Sequence, residues 1–145
     1  MNCDSMGEFY KRLKAFSHVP VVEEELNGTI QGYYSEKNKK IVIREGLSLN
    51  DKAAVLLHEL AHSLYDDFDY KIDRNLSEVF VESIAYIVAN HFELDTSLCS
   101  FNYIAKWAKG DPKIVVELGT KIQKCANQFI DSIEKFEMQE LKNVA

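Results

Sequence analysis

"VLLHELAHSL", Val55 to Leu64, sets two histidines and a glutamate inside an otherwise apolar run with helical spacing. Burying two imidazoles and a carboxylate costs free energy unless something pairs with them. The segment is therefore either a metal site on a helix or a helix whose histidines face water. Successive residues advance about 100° around an α-helix, so His58 and His62 project from one face, a turn apart. Asp51, Val55 and Tyr65 lie near that direction, whereas Ala53, Leu57, Leu60 and Leu64 form the face expected to pack. Glu59 points elsewhere and can lean across the site.

Two imidazoles a turn apart suit a divalent ion such as Zn2+. A carboxylate between them suits a proton acceptor better than a ligand. His58-Glu59-Leu60-Ala61-His62 matches the H-E-x-x-H pattern of zinc metallopeptidases. Two ligands leave such a site incomplete. A third is offered by "LSEVFVESIAYIVANHF", Leu76 to Phe92, where Glu78 and Glu82 share a helical face with Ala85 and Ala89. The rest of that helix is mostly apolar, which predicts burial, and the alanines let another helix come close. The spacing predicts that one carboxylate binds the metal and the other orients a ligand histidine through its free ring nitrogen. Glu78 is read as the ligand and Glu82 as the supporting group or alternative ligand. The competing explanation is a solvated ladder in which Arg74 pairs with Glu78.

The remaining chain supports an α+β fold. The stretch from Asp4 to Phe16 spaces Phe9, Leu13 and Phe16 as an amphipathic helix. "VPVVEE", "GTIQGYYS" and "KKIVIRE" are short, rich in Val, Ile and Tyr, and punctuated by glycine, which predicts two or three strands of a small antiparallel sheet. Ser48 followed by Asp51 resembles a capping box before the histidine helix. After an acidic loop and the glutamate helix come a short helix, "SFNYIAKWAK", and a break at Gly110-Asp111-Pro112. The last helix carries Val115, Leu118, Ile122, Cys125, Phe129, Ile133 and Phe136 as a core-facing stripe.

With 145 residues, 46% of them hydrophobic and 28% charged, the chain is expected to form one domain, 1–145. A net charge of −6 argues against a surface that grips nucleic-acid phosphates. The N-terminal stretch has no apolar core of the signal-peptide kind, and "IAYIVA" is too short to span a bilayer. Cys3, Cys99 and Cys125 are odd in number and lack CxxC spacing, as expected of reduced thiols in a cytoplasmic protein. "DDFDYKID" lacks the glycine and terminal glutamate of an EF-hand loop, with Lys71 where an oxygen ligand belongs. His18 and His91 are isolated.

The histidine helix followed by a glutamate helix is the gluzincin arrangement. More narrowly, "NGTIQGYYSEKNKKIVIREGLS", "LLHELAHSLYDD", "SEVFVESIAYIVANHFELDTS" and "SFNYIAKWAKGD" follow one another much as in ImmA/IrrE-type zinc metallopeptidases. The chain also resembles the related peptidase domains of plasmid and phage antirestriction proteins, over roughly Phe9 to Lys135. The resemblance implies a zincin-like, mainly helical domain with His58 and His62 as ligands and Glu59 as catalytic base. It places Glu78 at the third-ligand position; Glu82 stands where many relatives carry asparagine. Antirestriction relatives often carry a single-stranded-DNA-binding domain ahead of the peptidase, and none fits before Asn27, so nucleic-acid binding is not carried over.

The expected activity is zinc-dependent endopeptidase hydrolysis of a protein substrate, such as a regulatory partner in a bacterial mobile element or phage. The alternative is a metal-bearing, proteolytically silent module that binds a regulator. Tyr65, Tyr86 and Tyr103 are candidate oxyanion donors, and "KIVIRE" is a candidate sheet edge for an extended substrate.

Overall fold

The computed structural model describes residues 3–65, 74–96 and 112–144. These form four helices and one three-stranded sheet: α1 Cys3–Phe16, β1 Val21–Glu24, β2 Gly32–Ser35, β3 Lys40–Arg44, α2 Leu49–Tyr65, α3 Arg74–His91 and α4 Pro112–Val144. The expected α+β class holds, with helix dominant. The expected short helix "SFNYIAKWAK" and Tyr103 lie outside the described residues.

The sheet corrects the expectation of an antiparallel array. Its order is β1-β3-β2, with β3 antiparallel to β2 and parallel to β1. A four-residue turn, 36–39, joins β2 to β3 and can only reverse the chain; Asn38 N–H bonds the Ser35 hydroxyl at 3.1 Å there. The longer segment 25–31 carries the chain from β1 over the end of β3 to the opposite edge. Arg44 ties that segment down, donating from Nε to the Ile30 carbonyl and from Nη2 to the Gly28 carbonyl, each at 2.7 Å. "KIVIRE" is therefore the central strand and no edge. Ile41, Val42 and Ile43 are all fully buried, as a strand paired on both sides and packed on both faces demands.

Helix α2 starts where expected: Ser48 Oγ accepts from Asp51 N–H at 3.1 Å, and Ser48 O accepts from Lys52 N–H at 2.9 Å. Its buried residues are Ala53, Leu56, Leu57, Glu59, Leu60 and Ala61. Leu64, expected on the packing face, is instead 38% exposed, the buried face running through Leu56, Leu57, Leu60 and Ala61. On the other side, Lys52 pairs with Glu23 at 2.7 Å, and Tyr10 donates to the same carboxylate at 2.9 Å, linking α2, β1 and α1.

Helix α3 is buried nearly all round, through Val79, Phe80, Val81, Ile84, Ala85, Val88 and Ala89. It ends in a Schellman turn: Leu94 N–H reaches Ala89 O, Glu93 N–H reaches Asn90 O, and Glu93 adopts φ 62°. That turn delivers Asp95 to the start of α2, where the Asn50 amide bonds both its backbone N–H and its carbonyl, at 2.7 and 2.8 Å. Helix α4 covers α3 and α1 with the stripe read from sequence; Leu118, Ile122, Cys125, Phe129 and Ile133 are buried. Phe129 packs against Phe16 and Tyr65. Among the described residues no helix is long and apolar enough to cross a membrane.

One glycine sets how closely β2 approaches α2. A Cβ on Gly32 would lie 2.6 Å from Val55 Cγ1 and 2.8 Å from the Val42 carbonyl oxygen. We expect Gly32→Ala to lower stability in urea unfolding by about 1–3 kcal/mol. Adding Val55→Ala should recover only part of the loss, since the backbone clash with Val42 remains.

Candidate metal centre

The helical turn between His58 and His62 brings their Nε2 atoms to 3.2 Å, with ring centroids 4.8 Å apart. Helix α3 supplies the third group: Glu78 Oε2 lies 3.5 Å from His62 Nε2. One donor atom from each of His58, His62 and Glu78 falls within 4.8 Å of the others. The three are partly buried, at the level where α2 and α3 cross.

These spacings can be compared with a coordination shell. Two ligand atoms about 2.0–2.1 Å from a tetrahedral zinc stand roughly 3.3–3.4 Å apart. The His58–His62 and His62–Glu78 separations of 3.2 and 3.5 Å bracket that value, and all three donor atoms lie within 4.8 Å. The donor chemistry agrees as well. Burial and the neighbouring His62 push His58 down to about 4, which leaves its imidazole neutral with a lone pair to give. The residues present fit zinc.

Glu59 stands beside the trio rather than in it. It is only 8% exposed, and burial pushes its carboxyl up to about 7. The Tyr34 backbone N–H on β2 donates to this carboxylate and works against the shift. A carboxyl poised near neutrality is suited to moving a proton. Glu82 is also buried, 9% exposed, and is raised to about 7 by burial and by the charge of Glu78. Its Oε1 has no hydrogen-bond partner among the described residues.

The structure thus assembles His58, His62 and Glu78, flanks them with Glu59 and Glu82, and disperses the other candidates. Tyr86 lines the adjoining cavity. Tyr65 packs 5.8 Å from Phe129 in the core, and burial raises its hydroxyl to about 12. His18 is exposed, and His91 faces Glu134 at 3.2 Å on the surface. Cys125 is a free, buried thiol. The sequence reading missed the backbone support from Tyr34 and the approach of Asp95 to α2. Both depend on sheet order and on a helix-end turn, which side-chain periodicity does not encode.

Comparison with known proteins adds one relative. An uncharacterized protein of Bacillus anthracis is 32% identical over 116 residues, covering 74% of this chain and 20% of the relative. The chain thus spans about a fifth of the length of that curated relative. No family model matches the chain, and no solved structure matches it.

The buried carboxyls have a consequence for metal-free protein. Glu59 is raised from 4.5 to about 7, so its share of stability is intact below pH 4.5 and is lost as the pH rises through 7. Glu82 behaves alike. His58 acts oppositely, costing stability as the pH falls from 6.5 through 4. With metal removed, Glu59→Gln should be more stable than the parent at about pH 8, by on the order of 3 kcal/mol, and nearly equal to it at about pH 4.5. Urea midpoints at the two pH values measure this.

Proposed function

We propose that this chain is a zinc-dependent metallopeptidase of the ImmA/IrrE type, with a zincin-like arrangement of α2 and α3. The observation that carries the reading is the His58, His62 and Glu78 trio, its donor atoms within 4.8 Å of one another, with Glu59 beside it. His58, His62 and Glu78 would hold the ion. Zinc in that position supplies Lewis-acid polarisation of a peptide carbonyl and a water of lowered pKa.

The remaining steps belong to the chain. Glu59, ionised, accepts the proton of the attacking water and returns it to the leaving amine. Tyr34 N–H fixes the carboxylate from the sheet side. Tyr86, which lines the cavity, is the candidate donor toward a developing oxyanion among the described tyrosines. The substrate is a protein, in keeping with the regulatory partners implied by the resemblance, and the compartment is the cytoplasm.

Zinc titration into chelator-treated protein tests the ligand set. We expect about one zinc per chain, affinity weakened at least about tenfold by Glu78→Ala, and much smaller loss in Glu82→Ala. Glu59→Gln should keep the zinc and lose hydrolysis of a peptide library by about 100-fold or more. Loss of zinc mainly in Glu82→Ala would reverse the ligand assignment. Zinc binding without turnover would leave a silent regulator-binding module, and absence of zinc would overturn the reading.

A further inference from the structure

A cavity of about 580 Å³ opens beside His58 and Glu59 and runs along the seam between α2 and α3. Asp51, Val55 and His58 form one stripe of its α2 wall, and Glu82, Ala85 and Ala89 line the α3 side. From His58 to Asp51 the helix rises about 10 Å, comparable with an extended long side chain. Beyond Asp51 the cavity meets Asp95, which the paired Asn50 hydrogen bonds hold in place.

The lining divides sharply by chemistry. Its middle is small or apolar: Gly32, Ala54, Val55, Ala85 and Ala89 leave room and cover a hydrocarbon stem. Four carboxylic residues, Asp51, Glu59, Glu82 and Asp95, line it, and among the described residues no lysine or arginine does. Glu82 is nine-tenths buried on this wall, and its Oε1 has no hydrogen-bond partner among the described residues. A buried acceptor without a donor is costly, and a native structure that keeps one commonly reserves it for a ligand. The net charge of −6 favours approach of a cation.

We propose that this cavity is a specificity pocket for a lysine or arginine side chain of the peptide substrate, next to the bond cut at the His58, Glu59 and His62 cluster. The methylene stem lies against Val55, Ala85 and Ala89, while Asp51 and Asp95 attract the charged head from the far end. Glu82, whose Oε1 has no hydrogen-bond partner among the described residues, supplies an acceptor at the His58 end of the pocket. An acidic side chain is repelled from the same place. The inference rests on the peptidase reading for its substrate.

The test uses two blocked peptide libraries that differ only in one fixed position, lysine in one and norleucine in the other. Zinc-loaded full chain should cleave beside lysine with kcat/KM at least about tenfold above norleucine, the size of a charge-assisted hydrogen bond. Asp51→Asn should shrink that ratio to about twofold or less, and Asp51→Lys should turn the preference toward a library with glutamate at the fixed position. Binding to Glu59→Gln protein, with and without zinc, is measured in parallel by fluorescence anisotropy. Cleavage without a basic preference would overturn the pocket and leave the peptidase. Tighter binding of lysine peptides without any cleavage, abolished in Asp51→Asn, would overturn the peptidase and support the pocket. Neither cleavage nor a binding preference would overturn both.

Discussion

The crossing of α2 over α3 is the contact on which the rest of the structure depends. It brings carboxylates from α3 to the histidine face of α2 and removes Glu59 and Glu82 from water in doing so. Isolated buried carboxylates are unfavourable, and the fold accepts two of them within one seam. The surrounding apolar packing offsets that cost. Leu56, Leu57 and Leu60 from α2 and Val79, Phe80 and Ile84 from α3 are all essentially inaccessible. Small side chains at Ala85 and Ala89 keep the seam open as a cavity instead of closing it.

The same crossing explains why the site is electrostatically poised. His58 is neutral because burial and His62 disfavour its charge, while Glu59 and Glu82 rise toward neutrality because burial disfavours theirs. A cation in the seam would reverse these penalties for the carboxylates and use the lone pairs of the imidazoles. Perturbed groups in a cleft are what a functional site leads one to expect. The polar burial that weakens the metal-free fold is what a cation held there would relieve.

Much of this site was legible in the sequence because an α-helix converts spacing into direction. Residues 58 and 62, and residues 78 and 82, each fall one turn apart, and the structure places both pairs on the facing sides of α2 and α3. The stripe on α4 and the Ser48 cap follow from the same local rules. The sheet did not yield in this way. Strand composition located β1, β2 and β3, yet it carries no record of which strand lies between the others, so it left β3 a candidate edge although β3 is central. The exposure of Leu64 has a related origin: a helical wheel gives a face but not how far along the helix that face is covered. Glu59 shows the same limit, since its support comes from the Tyr34 backbone, a donor every residue type but proline shares.

The claim that His58, His62 and Glu78 together hold one zinc ion is met most directly by zinc K-edge X-ray absorption of the zinc-loaded protein. The account requires about four nitrogen and oxygen neighbours near 2.0–2.1 Å, with the outer-shell scattering of two imidazole rings. A spectrum of about six oxygen neighbours without imidazole scattering, as expected for zinc held loosely by surface carboxylates, would contradict it.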